Sequence, residues 1–169
     1  MSQKFTSKGT SINSANLPKI FRNIDYNSSY ILDYGCGKYI DHIRSEVEKN
    51  GSKYLPYDPF NQDEKTNSHS LHIVQKLCDE GKPVDVVCSN VLNVIDDDAV
   101  VKEIINYIEN IVNSSGGKAY FVVYEGDKIG IGRQTGKDQY QRNSKLCDYL
   151  KFFRKARIQK GMIIVEKEA

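Results

Sequence analysis

Short apolar runs alternate with stretches of helical periodicity along most of the chain. Tyr30-Ile31-Leu32-Asp33-Tyr34 reads as a buried strand, closed by Gly35-Cys36-Gly37. Lys38 to Asn50 carries Ile40, Ile43 and Val47 at i, i+3, i+7 and meets Gly51, which predicts a helix and its stop. Lys53 to Asp58 reads as a second strand ended by Pro59, and Ser68 to Glu80 as a helix with Asn67 as its cap. Val84 to Ser89 shows no polar alternation beyond Asp85, as expected of a parallel strand covered on both faces. Ala99 to Val112 is strongly amphipathic, and Ala119 to Tyr124 is again a buried strand. A polar loop from Glu125 to Arg142 leads to an expected helix, Asn143 to Ala156. A short extended stretch, a turn at Lys160-Gly161 and a last strand, Met162 to Glu166, close the pattern. Leu17 to Ile24 reads as a helix packed beside the first strand.

Alternation of this kind predicts an α/β fold with a mostly parallel sheet and helices on both faces. Phe60 to Pro83 has room for one helix and shows no convincing strand. Either an edge strand is lost there or His72-Ile73-Val74 supplies a stub.

Composition changes this picture little. The 169 residues are 39% hydrophobic and 27% charged, as in ordinary globular domains, and fit one domain. Cys36, Cys78, Cys88 and Cys147 have neither zinc nor disulfide-framework spacing, so reduced thiols in a cytoplasmic compartment are expected. No apolar run approaches the roughly 18 residues of a membrane span, and the first residues lack the apolar stretch of a secretory signal. His69 and His72 stand at i, i+3 without a third ligand, so no metal is expected. Charge is uneven: ten Lys/Arg against two acids lie between Lys128 and Lys160, which permits a polyanionic partner.

The chemistry gathers where two strands end. Asp33-Tyr34-Gly35-Cys36-Gly37 puts an acid at the end of the first strand and two glycines in the turn, where a ligand can approach backbone that has no Cβ. Asp33 there can oppose an ammonium group. Asp58 ends the next strand, at the place where an acid holds the ribose hydroxyls of a nucleotide-like ligand. A dinucleotide fingerprint needs a third glycine, and position 40 is Ile; no phosphate-binding P-loop occurs.

From Tyr30 to Tyr124 the sequence resembles the class I S-adenosylmethionine-dependent methyltransferases. DYGCG at 33–37 is similar to their glycine-rich first motif, Asp58 to their ribose-binding acid, and Ser89-Asn90-Val91-Leu92-Asn93-Val94-Ile95 to the segment bordering the methyl-donor pocket. KGTSIN (8–13), DYGCGK, YDPFN, NVLNVI, YEGD and QYQRN together resemble small stand-alone methyltransferases of the phage and mobile-element type. The resemblance implies a three-layer Rossmann-like sandwich with an antiparallel last strand. Residues 1–29 would be a helical extension, 30–124 the cofactor-binding core and 125–169 the acceptor side. It also implies S-adenosylmethionine as cofactor, contacted by Asp33, Tyr34, Gly35, Cys36, Gly37, Tyr57, Asp58, Pro59, Ser89, Asn90 and Val91.

For the acceptor, Asn90-Val91-Leu92-Asn93 lacks the prolines of the base-amino methyltransferase tetrad, and Cys88 has the wrong neighbour for a cytosine-C5 nucleophile. Loop 124–143 opens over the expected cofactor mouth, and its glycines make it a candidate lid. Asn90, Glu125 and Asp127 are the candidate catalytic residues, the last two as general bases. Asn93, Tyr124, Arg133, Gln134, Thr135, Tyr140 and Arg142 are expected on the acceptor side, the arginines as phosphate or carboxylate clamps. The basic last third leans toward DNA or RNA as acceptor. A small molecule, a protein side chain, or a non-catalytic S-adenosylmethionine-binding subunit are the alternatives.

Overall fold

The computed structural model describes residues 3–8 and 16–168. Its core is a six-stranded sheet of order β2-β1-β3-β4-β8-β7, from β1 (Tyr30–Tyr34), β2 (Lys53–Tyr57), β3 (Asp85–Ser89), β4 (Ala119–Val122), β7 (Arg157–Gln159) and β8 (Met162–Val165). The first four run parallel; β8 lies antiparallel to β4, and β7 antiparallel to β8. The expected α/β class and the antiparallel last strand are both present.

Consecutive strand residues point to opposite sides of the sheet, and each side has its own core. Ile31, Tyr54, Val87, Tyr120 and Ile164 pack under α1 (Ile20–Asn23) and α2 (Asp41–Lys49) through Phe21, Ile43 and Val47. Leu32, Leu55, Val86, Cys88 and Phe121 pack on the other side under α3 (Glu64–Asp79) and α4 (Asp98–Ser115), through Val74, Leu77, Ile105, Ile108 and Val112. The result is three layers. The Asp97 side chain accepts from Ala99 N to start α4, and Gly116 in the left-handed region ends it.

Several boundaries differ from the expected ones. α3 begins four residues early because Asp63, not Asn67, is its cap, accepting from Thr66 N at 2.7 Å. His72-Ile73-Val74 lies inside this helix and is no strand stub, so β2 is a free sheet edge. Asn67 serves that edge instead: its amide accepts from Asp58 N at 2.9 Å and donates to Asp58 O at 3.0 Å, as a neighbouring strand would. One turn later the Ser70 hydroxyl donates to Pro56 O at 2.6 Å.

The expected helix over 143–156 is a 3₁₀ helix, Leu146–Phe152. Leu146, Tyr149 and Phe152 recur every third residue, which suits three residues per turn better than 3.6. The segment 125–142 is not a plain loop either, since it folds as a hairpin of β5 (Arg133–Gly136) and β6 (Gln139–Gln141). Among the described residues before β1, only Ile20–Asn23 is helical. Of KGTSIN, residues 9–13 lie outside the described residues.

Candidate functional site

A cavity of about 530 Å³ opens beyond the carboxyl ends of β1, β2 and β3. Chain order reverses between β1 and β3, since β2 lies on one side of β1 and β3 on the other. Open α/β sheets bind ligands at such a switch point. The walls come from Asp33 to Gly37, Asp58 to Asn61, Ser89 to Val91, and Val94 and Ile104. Residues before β1 close the remaining side: Thr6, Ser7, Leu17, Pro18, Lys19 and Phe21.

Asp33 is 2% exposed and accepts from the Tyr54 hydroxyl at 2.5 Å. Burial first, then the nearby Asp58 charge, push its carboxyl up to about 7, although the Tyr54 bond works the other way. A buried acid in that state is a receptor for a cation, because a positive group restores the solvation that burial removed.

Asp58, 6% exposed, bolts the two loops together. One of its oxygens accepts from Phe60 N and Asn61 N at 2.9 and 3.0 Å, the other from Gly37 N at 2.9 Å and Asn61 Nδ2 at 3.2 Å. Asn61 Oδ1 has no partner although it is buried on the cavity wall. A carboxylate and an unpaired amide oxygen side by side are acceptors for vicinal hydroxyls. The longest of the four Asp58 bonds, from Asn61 Nδ2, is the easiest to exchange.

Gly35 adopts φ +84°, and a Cβ there would stand 2.3 Å from Val91 Cγ2. This glycine therefore lets the β3 loop approach the β1 loop, as well as holding a left-handed turn with Gly37 (φ +77°). Gly35 N and Cys36 N both donate to Tyr57 O. Burial, then Asp33 and Asp58, hold the Cys36 thiol well above its ordinary range, so it is no thiolate nucleophile. Tyr57 does not line the cavity. Its ring packs on Tyr34, centroids 4.9 Å apart, and Tyr34 reaches on to Tyr107 of α4.

No protein-family model matches the chain, and no curated protein matches it either.

Asn90 is exposed and takes φ +57°, with its N–H donating to Val122 O at 2.9 Å. A non-glycine residue in this region is strained, and here it sits at the cavity mouth. The two candidate bases are engaged. Glu125 accepts from Leu146 N at 2.8 Å and pairs with Lys128 at 3.7 Å. Asp127 is exposed and accepts from Ile129 N at 3.0 Å, which makes its loop a turn.

The acceptor-side residues divide into braces and walls. Arg142 donates to Ile95 O and pairs with Asp98 at 2.7 Å, so it fastens the hairpin to the β3 loop and is no clamp for a ligand. Asn93 donates to Gln141 Oε1 at 3.1 Å, and Gln141 donates to Tyr124 O at 2.9 Å. Gln134 closes the hairpin on Gly136 O. Tyr124, Asp127, Arg133, Thr135 and Tyr140 line a second cavity of about 520 Å³ that meets the first at Ser7 and Val94. Among the described residues, no three His, Cys, Asp or Glu are grouped to hold a metal ion, and no helix is long and apolar enough to cross a membrane.

Sequence reasoning missed the N-terminal wall and Asn61. Residues 3–8 are polar apart from Phe5 and carry no period; contacts distant in sequence fix their place, the stacking of Phe5 on Tyr140 at 5.5 Å and the hydrogen bonds of Thr6 to Asp138. Asn61 stands three residues after Asp58, in the pattern of an Asx turn, which was the available signal.

Proposed function

We propose that the protein binds S-adenosylmethionine in the switch-point cavity and transfers its methyl group to an acceptor. The supporting observation is the juxtaposition of Asp33, poised for a cation, with Asp58 and the unpartnered Asn61 oxygen. One end suits the aminoacyl ammonium and the other the ribose hydroxyls, while the apolar walls at Val91, Val94, Phe60 and Ile104 suit a purine. The cavity volume falls within the usual range for ligands of that size, roughly 300–1,000 Å³. The bound cofactor supplies an activated methyl on sulfur; the chain's part is to fix that ligand and hold the acceptor in line with it.

Titration calorimetry with S-adenosylmethionine tests the reading. Binding in the micromolar range is expected, falling about tenfold or more in Asp58→Ala, about the loss of one or two hydrogen bonds to a charged group, and about three- to tenfold in Asn61→Leu, where the acceptor is a neutral amide. No heat with S-adenosylmethionine, or unchanged affinity in both variants, would reject it. Labelled methyl groups offered with DNA, RNA, protein and metabolite pools then find the acceptor class.

A second reading, a non-catalytic S-adenosylmethionine-binding subunit, draws on a specific observation. Glu125 and Asp127 are both occupied by backbone N–H groups, leaving no poised base at the mouth. Binding without methyl incorporation into any pool favours it.

A further inference from the structure

A third cavity, about 310 Å³, opens beside Asn90 on the β4–β8 side of the sheet. Pro18, Lys19, Ser89 and Asn90 line both it and the switch-point cavity, so the strained Asn90 stands where the two meet. The antiparallel pairing of Phe121 with Ile163 carries the Lys160-Gly161 turn past the carboxyl end of β4. Both turn residues have positive φ (52° and 71°), the backbone of a two-residue hairpin turn, and this fixes Lys160 at the cavity's edge. Lys19 lines the same cavity from the segment before α1.

The charge of this lining is one-sided. Lys19 and Lys160 are both exposed and, among the described residues, neither is in an ion pair, whereas Arg142, Arg154 and Arg157 each have a carboxylate partner. No Asp or Glu lines the cavity; Asn23, Ser89 and Asn90 supply its neutral polar groups. Two ammonium groups with hydroxyl and amide donors suit a phosphate, which takes point charges and several hydrogen bonds at once. The volume lies at the lower end for small-molecule sites, enough for about one nucleotide.

We propose that this side cavity is a phosphate-binding subsite, held by Lys19 and Lys160, through which a phosphate-bearing acceptor reaches the switch-point cavity beside Asn90. Its role for the acceptor rests on the methyl-donor reading above; its preference for phosphate does not.

Fluorescence anisotropy with a labelled single-stranded decanucleotide, and competition by a nucleoside monophosphate, test it on the full chain. Lys19→Gln and Lys160→Gln are each expected to weaken binding about three- to tenfold and to lower the slope of log K against log salt by about 0.7. Lys76→Gln, at an exposed position of α3, is the control and should change neither. S-adenosylmethionine affinity, measured separately, should stay within about twofold in Lys160→Gln, since Lys160 lines the side cavity and not the switch-point cavity. A decanucleotide at least tenfold tighter than the monophosphate identifies a strand as the source of the phosphate; equal affinities identify a free nucleotide. The proposal is overturned if neither phosphate probe binds, if the two lysine variants match wild type, or if Lys76→Gln loses as much as they do. Failure of S-adenosylmethionine binding with phosphate binding intact would remove the donor reading and leave the subsite standing.

Discussion

At the scale of single residues, Asp33 carries the sharpest consequence. Its carboxyl titrates near 7 in the folded protein and near 4 in the unfolded chain. The folded state therefore binds the extra proton between those values, and the stability contributed by Asp33 is full below about pH 4 and lost as pH rises through about 7. A cation bound against it needs the charged form, so S-adenosylmethionine affinity should fall about tenfold from pH 7.5 to 6, and the dependence should flatten in Asp33→Asn. An affinity indifferent to pH over that span would show that the ammonium does not meet Asp33. Gly35 makes a second case. Gly35→Ala combines a positive φ with the Val91 contact and should cost about 1–3 kcal/mol in urea denaturation. Val91→Ala in the same chain should return only part of this, since it relieves the contact and not the backbone.

At the scale of elements, the hairpin β5–β6 is fastened at several points. Gln141 and Arg142 tie it to the ends of β3 and β4, and the Asn143 amide lies where a Cβ on Gly126 would be, 1.9 Å from Asn143 Oδ1. This brings YEGD and QYQRN into contact, a link that residue types at separate positions could not reveal. Asp138, near the hairpin turn, holds the N-terminal segment by accepting from Thr6 N at 3.0 Å, from the Thr6 hydroxyl and from Lys8 N at 3.3 Å. Asp138→Ala should release residues 3–8, read as faster amide exchange there with a melting temperature changed by no more than a degree or two. Protection unchanged in that segment would refute the tether.

Legibility followed the same lines. β1 to β4 and their helices were readable because apolar residues bury against two cores and leave strong periods. The hairpin was not, because β5 is exposed and β6 half-buried, with Arg133, Gln134 and Thr135 in succession and no apolar alternation. Asp33, Gly35, Asp58 and Asn90 were legible as cavity residues from their places at strand ends. The partners that occupy Glu125 and Arg142 were not, because Leu146 N and Asp98 are distant in sequence.

At the scale of the whole molecule, the sheet spends its polar groups unevenly between its two borders. β7 at one border carries exposed Arg157, Ile158 and Gln159, with Arg157 paired to Glu166 at 3.3 Å. Glu109, 2% exposed in α4, accepts from Arg154 N and Nε, both at 2.8 Å, and pins the chain leading into β7. Glu109→Ala should cost about 1–3 kcal/mol by chemical denaturation, since it leaves the Arg154 backbone N–H without its acceptor, while the half-exposed guanidinium turns to water and Asn110. A loss below 1 kcal/mol would show the pair to be solvated.

The border at β2 has a different consequence. Lys53, Leu55 and Tyr57 direct their backbone toward β1, which leaves Tyr54, Pro56 and Asp58 facing outward. Pro56 has no N–H to offer a foreign strand, its carbonyl is taken by Ser70, and Asn67 occupies both groups of Asp58. Self-association through this margin is thus blocked by three side chains in place of a seventh strand. A Pro56→Val, Asn67→Ala, Ser70→Ala chain should acquire concentration-dependent dimers or fibrils in sedimentation while its monomer keeps the same circular dichroism; in the natural sequence, the closing of this edge and the seating of Asp58 depend on the same asparagine.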